Sequence, residues 1–270
     1  NRITLSYNSR GLIDTIRNSN GDVLHIDYDT TAGREANIIG LRSESLNKQG
    51  IAQTTQKVRY EYDSLNRLSQ VSIDLTPEDG SIIDGNIYTT RYSYDGNSKR
   101  ITSIEQSDGS RLNFTYTQVN GQYRIATVQD IRSSTDNRIT HFAYSADGLS
   151  TSITDPSGQT SKLVYNSKGE LLHLYSPGIN GQQAHQAYTY DASGNVTSIT
   201  DERGHSTVYQ YDANGNCLYE RDGAGNVIER TYNTDNQMTS QTRYSIADPD
   251  GSGPQLPQGA QTTHYLYGQD

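Results

Sequence analysis

Six histidines, one cysteine and a recurring set of turn carboxylates are the residues with which this 270-residue chain could do chemistry. The histidines are His25, His141, His173, His185, His205 and His264, and none stands in H-E-x-x-H or another ligand spacing. They read as ordinary strand and loop residues. Cys217 follows Gly215-Asn216 in a column also held by Val196 and Leu171. That column suits a small core-facing residue better than a nucleophile, and no partner His is indicated. A single cysteine makes neither a disulfide framework nor a cysteine-rich zinc site. No G-x-S-x-G elbow and no phosphate-binding glycine loop occurs. Asp248-Pro249-Asp250-Gly251-Ser252-Gly253 spaces oxygen ligands in a way that would suit a hard cation, but residues 254–260 offer no acid to close such a site. It reads as the tip of an insertion. Asp191 and Asp212 recur in turns for a backbone reason and are not a glycosidase pair. The expectation is a chain with no catalytic, cofactor-binding or metal residues.

Composition narrows the class further. Leu, Ile, Val and Phe make up 49 of the 270 residues, a low share, but the formal net charge of -9 is small for the length and argues against disorder. The missing apolar surface returns as tyrosine: 21 Tyr stand against 2 Phe and no Trp. Phenol rings bury a large area but carry a polar tip that needs a partner. No run of about 18 apolar residues exists, so no membrane-spanning helix is expected. With 22 basic and 31 acidic residues and no Lys/Arg block, a nucleic-acid footprint is not expected either.

An internal repeat supplies the elements that would position these residues. Aligning on tyrosine gives Y-[DN]-x-x-G-x-[apolar], followed by a second turn of the form D-x-x-G. The motif tyrosines are Tyr7, Tyr28, Tyr62, Tyr94, Tyr116, Tyr144, Tyr165, Tyr190, Tyr211, Tyr232 and Tyr267, and four of their intervals are 21 residues. The structural glycines of the turns are Gly11, Gly169, Gly194, Gly204, Gly215 and Gly225. In the unit from Tyr190, Asp191 to Gly194 forms the first turn, residues 195–201 a strand, Asp201 to Gly204 the second turn, and residues 205–211 the next strand. Aspartate can bond amides two residues on, and glycine supplies positive φ. Short strands at this spacing mean an antiparallel meander, with no helix of useful length.

Two residues before the motif tyrosine stand Tyr60, Tyr92, Tyr188, Tyr209 and Tyr265, with Phe114 and Phe142 in the same column. Residues two apart on a strand share a face, so this column is expected to stack aromatic on aromatic from unit to unit. Intervals longer than 21 place insertions near 29–61, 63–93 and 233–266, where specific binding loops could reside.

The runs YDASGNVTSITD, YDANGNCLYERDGAGNVIERTYN, YNSKGELLHLY, YDSLNRLSQVS and YNSRGLIDTIRNSNG closely resemble the RHS, or YD-repeat, family over nearly the whole chain. The resemblance implies a long β-sheet strip that coils into a spiral and can close into a hollow shell. Bacterial members include Rhs polymorphic toxins and the B/C components of Tc toxin complexes, where the shell encloses a C-terminal toxic polypeptide; teneurins use a similar shell. The bacterial shell usually ends in a P-x-x-x-x-D-P-x-G motif linked to self-cleavage. The nearest string here is Asp155-Pro156-Ser157-Gly158, with Ser150 in place of the first proline. It aligns with the ordinary turn Asp201–Gly204, so no autoprotease is carried over.

The expected fold is therefore all-β: one elongated, curved antiparallel sheet of YD repeats spanning residues 1–270 as a single continuous array, a fragment of a longer protein. The expected function, implied by the resemblance, is a non-catalytic segment of a shell wall in a large exported bacterial protein, secreted or on the cell surface. Its partners would be the remainder of the same polypeptide, namely further repeats and an enclosed C-terminal domain. The alternative is a carbohydrate- or cell-surface-binding adhesin module that stacks exposed tyrosines on glycans.

Overall fold

The computed structural model describes residues 2–79, 81–82, 84–177, 183–247 and 257–268. The chain divides into two units, Asn1–Thr117 with Ile125–Thr140, and Gln118–Arg124 with His141–Asp270. Nine strands begin in the first: β1 (Ile3–Tyr7), β2 (Ile13–Asn18), β3 (Val23–Tyr28), β4 (Ile38–Leu46), β5 (Ala52–Tyr62), β6 (Leu68–Asp74), β7 (Ile87–Tyr94), β8 (Ile101–Gln106) and β9 (Arg111–Val119). Strands β10 (Gln122–Ile131) and β11 (Asn137–Tyr144) contribute residues to both units. The second unit continues through β12 (Ser150–Thr154), β13 (Thr160–Tyr165), β14 (Leu171–Ser176), β15 (Ala184–Tyr190), β16 (Val196–Thr200), β17 (Ser206–Tyr211), β18 (Cys217–Arg221), β19 (Val227–Tyr232), β20 (Met238–Ile246) and β21 (Gln258–His264). Within each unit consecutive strands pair antiparallel, from β1 to β9 in the first and from the end of β11 to β21 in the second. The only helical element among the described residues is a single 3-10 turn, Pro77–Asp79. The all-β antiparallel expectation holds.

The repeat expected from Tyr190 is present with the first strand shorter by a residue at each end, β16 being Val196–Thr200, and the second by one at its start, β17 being Ser206–Tyr211. The cause is local: the amides of Asn195 and His205 are taken by turn aspartates rather than by the ladder. The long interval after Tyr28 does not loop out along its whole length. Part of its excess lengthens β4 and β5 into a hairpin of 9- and 11-residue strands, turned at Asn47–Gly50.

Little of either unit is interior. Among the described residues Val23 and Val227 are the buried hydrophobic side chains, and Ser72, Asp74 and Thr89 the buried polar ones. Stability must therefore come from side chains lying along the sheet faces and from bonds between repeats, as in arrays whose units cannot bury a face alone. The aromatic column does not stack as the repeat pattern suggests. Tyr60 pairs across to Val71, Tyr92 to Ile104, Phe142 to Ile153 and Tyr188 to Ile199. Each repeat has two strands, so one strand always separates column members, placing them about 9–10 Å apart. Aromatic meets aliphatic instead. Tyr209 and Tyr211 make a ring contact within a single strand, at 6.5 Å.

Candidate functional site

The two turns of a repeat share one geometry. In the first, Gly194 N donates to the Asp191 carbonyl at 3.2 Å, and the amides of Ser193 and Asn195 both donate to Asp191 Oδ1 at 2.9 Å. In the second, Gly204 N donates to the Asp201 carbonyl at 3.0 Å, and Arg203 and His205 amides to Asp201 Oδ1 at 2.9 and 2.8 Å. This is a three-residue hairpin loop closed by a left-handed residue and a bulge. Gly11, Gly169, Gly194, Gly204, Gly215 and Gly225 all have φ between 77° and 88°. Asp155–Gly158 folds the same way, with Gly158 N on the Asp155 carbonyl at 3.0 Å and Gly158 at φ 83°. It is a repeat turn.

The bulge explains the tyrosine. In hairpin after hairpin the register slips immediately before the motif residue, as between Glu61 and Tyr62, Ser93 and Tyr94, Thr189 and Tyr190, and Thr231 and Tyr232. On its other side, the strand opening with the motif's apolar residue starts its ladder two residues late. β6 begins pairing with β7 at Gln70, β14 with β15 at His173, and β18 with β19 at Tyr219. The carbonyl of the opening residue is left outside that ladder, and the next repeat's phenol reaches it. Tyr28 Oη donates to the Ile13 carbonyl at 2.9 Å, Tyr62 to Ile38 at 2.8 Å and Tyr94 to Leu68 at 2.6 Å. Tyr116 donates to Ile101 at 2.6 Å, Tyr190 to Leu171 at 2.8 Å, Tyr232 to Cys217 at 3.2 Å and Tyr267 to Met238 at 2.9 Å. The same atom pair joins repeat to repeat in both units. Phenylalanine would fill the space but leave the carbonyl unpaired. Burial pushes the phenols of Tyr62, Tyr94, Tyr116, Tyr190 and Tyr232 above their ordinary pKa, which keeps them protonated and donating.

Turn side chains add a second connection along the same edge. Arg67 donates to the Gly96 carbonyl at 2.7 Å while its guanidinium lies 4.3 Å from the Tyr94 ring. Arg10 donates to the Asp29 carbonyl at 3.0 Å beside Tyr28, and Arg124 to the Gly148 carbonyl at 3.4 Å beside Tyr144. Between later repeats an amide serves, with Asn216 Nδ2 on Asn236 Oδ1 at 2.9 Å. Nothing in the spacing of these residues along the chain marks them as partners, because the contacts join adjacent repeats at separations that differ from 19 to 29 residues.

The residues weighed for chemistry are occupied structurally. Asp212 Oδ1 receives the amides of Asn214 and Asn216, both at 2.9 Å, as Asp191 does in its own turn. Cys217 is half-buried; Arg230 Nη1 donates to its sulfur at 3.4 Å and ion-pairs with Glu220 at 2.7 Å. Burial pushes the Cys217 thiol up, away from the thiolate a nucleophile needs. His25 lies 3.2 Å from Glu44 and His205 3.3 Å from its turn aspartate Asp201. Among the described residues no three His, Cys, Asp or Glu side chains form a metal-ligand group. Asp248–Gly253 lies outside the described residues.

The turn carboxylates make stability depend on pH. The Asn195 side chain and amide hold Asp191 below the usual carboxylate range, and Asn216 does the same for Asp212. A depressed folded-state pKa contributes stability above the unfolded value, lost as pH falls through the folded value. Unfolding free energy from urea titrations is therefore expected to be level near neutrality and to decline below about pH 4, the ordinary carboxylate range. Asparagine already turns the repeat at Asn166, whose Oδ1 takes the Lys168 and Glu170 amides at 2.9 and 3.1 Å. The pair Asp191→Asn and Asp212→Asn should thus fold normally with a shallower acid decline; an unchanged decline would contradict this cause.

The RHS repeat family matches residues 190–227. No curated protein sequence matches the chain. Among solved structures, the crystal structure of TcdB2-TccC3 without its hypervariable C-terminal region is similar at a TM-score of 0.61 and 13% identity, over 97% of this chain and 15% of that one. TcdB2-TccC3 itself gives 0.59 and 14% over 97% of this chain and 16% of that one. The chain thus spans about a sixth of the length of the proteins whose fold it shares.

Proposed function

We propose that this chain, whose residues 190–227 match the RHS repeat family, is a non-catalytic segment of a β-shell wall in a large exported bacterial protein, enclosing a C-terminal toxin or effector. The observation that carries this reading is the phenol-to-carbonyl bond made from repeat to repeat at seven motif tyrosines. It commits the recurring tyrosine of the repeat to cohesion between repeats. The likeness in fold to TcdB2-TccC3 supports it. Many of its strands carry threonine and serine, which present hydroxyls to an enclosed cargo. Hydroxyl pairs such as Thr115–Thr127, Thr189–Ser198 and Thr231–Ser240, each at 2.7 Å, line those strands.

Reading the coding sequence beyond Asp270 tests the proposal. Further YD repeats, a P-x-x-x-x-D-P-x-G core and then an unrelated C-terminal domain are expected. A cell-wall or membrane anchor with no such core would overturn the wall and favour the adhesin, whose glycan binding a glycan array would then detect.

A further inference from the structure

Two histidines that no repeat position calls for meet on the hairpin of β14 and β15. His185 lies opposite Tyr175 in the register, and His173 lies two residues before Tyr175 on the same strand, so all three share one face. His173 Nδ1 and His185 Nε2 are 3.1 Å apart, and both rings are half-buried. The Tyr175 ring stacks on His185 with centroids at 4.5 Å and planes at 15°, fixing that imidazole's plane. The two ring nitrogens share at most one proton when both rings are neutral, and a cation is the other group that can satisfy two facing lone pairs.

We propose that His173 and His185 form a binding site for a divalent first-row transition metal of the Cu2+, Ni2+ or Zn2+ class. Imidazole nitrogens bind such ions at about 2.0–2.1 Å, which sets two nitrogens on one ion about 2.9 Å apart at a right angle and about 3.4 Å apart at a tetrahedral one. The observed 3.1 Å falls between these limits. The ion sits about 1.3 Å off the line joining the nitrogens. Two protein nitrogens leave the remaining positions to water, so the ion is exchangeable and its order of affinity follows Cu2+ above Ni2+ and Zn2+. Because the ligands come from neighbouring strands, the ion cross-links β14 to β15 and stabilises the folded hairpin alone.

The test uses the whole chain, freed of any metal-affinity tag and stripped of metal, titrated with Cu2+. At sub-stoichiometric Cu2+, NMR should show the ring signals of His173 and His185 broadened before those of His25, His141, His205 and His264. Electron paramagnetic resonance should show nitrogen coordination at one ion per chain. His173→Ala and His185→Ala should each weaken binding by about 100-fold, the loss expected when one of two linked ligands is removed. His141→Ala should leave it unchanged. Broadening spread evenly over all six histidines would overturn the site without any substitution, as would wild-type affinity retained in either alanine variant.

Discussion

Tyr94→Ala is expected to lower the unfolding free energy by about 3–4 kcal/mol, one of the largest single losses on this chain. Three contributions disappear together. The half-buried ring is worth about 2 kcal/mol when truncated, somewhat less than a full core aromatic. The Arg67 guanidinium at 4.3 Å adds about 1 kcal/mol of cation–π attraction. The hydroxyl on the Leu68 carbonyl at 2.6 Å adds about 1 kcal/mol. Tyr94→Phe isolates the last of these and should cost about 1 kcal/mol; Arg67→Ala removes the cation and its bond to Gly96. Urea unfolding of the three variants checks the order Ala, then Arg67→Ala, then Phe. If Tyr94→Phe matched the wild type, the phenol bond would contribute nothing and the role given to the motif tyrosine would fail.

Gly194→Val should destabilise by about 2–3 kcal/mol, because a β-branched residue is forced to φ 88° in the first turn of its repeat. The chain supplies its own control. Asn66 and Asn236 hold the equivalent turn position with φ 60°, each donating its amide to the carbonyl three residues earlier at 3.1 Å. Gly194→Asn should therefore cost less than about 1 kcal/mol. Equal urea midpoints for the two variants would show that the left-handed turn is not what the position requires.

Much of this architecture was legible in the sequence for a definite reason. Turn chemistry is local: an aspartate bonding amides two and four residues on, with glycine at positive φ, is written in five consecutive residues, and so Asp191–Gly194 and Asp201–Gly204 could be placed to within a residue. The hairpin register follows from those turns. What lay beyond was everything that crosses from one repeat to the next. The tyrosine hydroxyl needs an acceptor, but only the late start of the following ladder shows that the acceptor is Leu171 for Tyr190 or Cys217 for Tyr232. The aromatic column misled because sequence alignment sets Tyr188 and Tyr209 side by side, whereas β16 lies between their strands. His173 and His185 are 12 residues apart with no motif spacing, and their meeting depends on the register of β14 on β15.

The central claim is that these repeats form a wall around a C-terminal polypeptide of the same protein, and protease protection of that polypeptide tests it most directly. The full-length gene product would be treated with a nonspecific protease under native conditions, then again in urea above the unfolding midpoint. The wall predicts that the C-terminal polypeptide survives intact in the native sample and is degraded only once the repeats unfold. Degradation of the C-terminal polypeptide in the native sample, while the repeat array there stays intact, would contradict it.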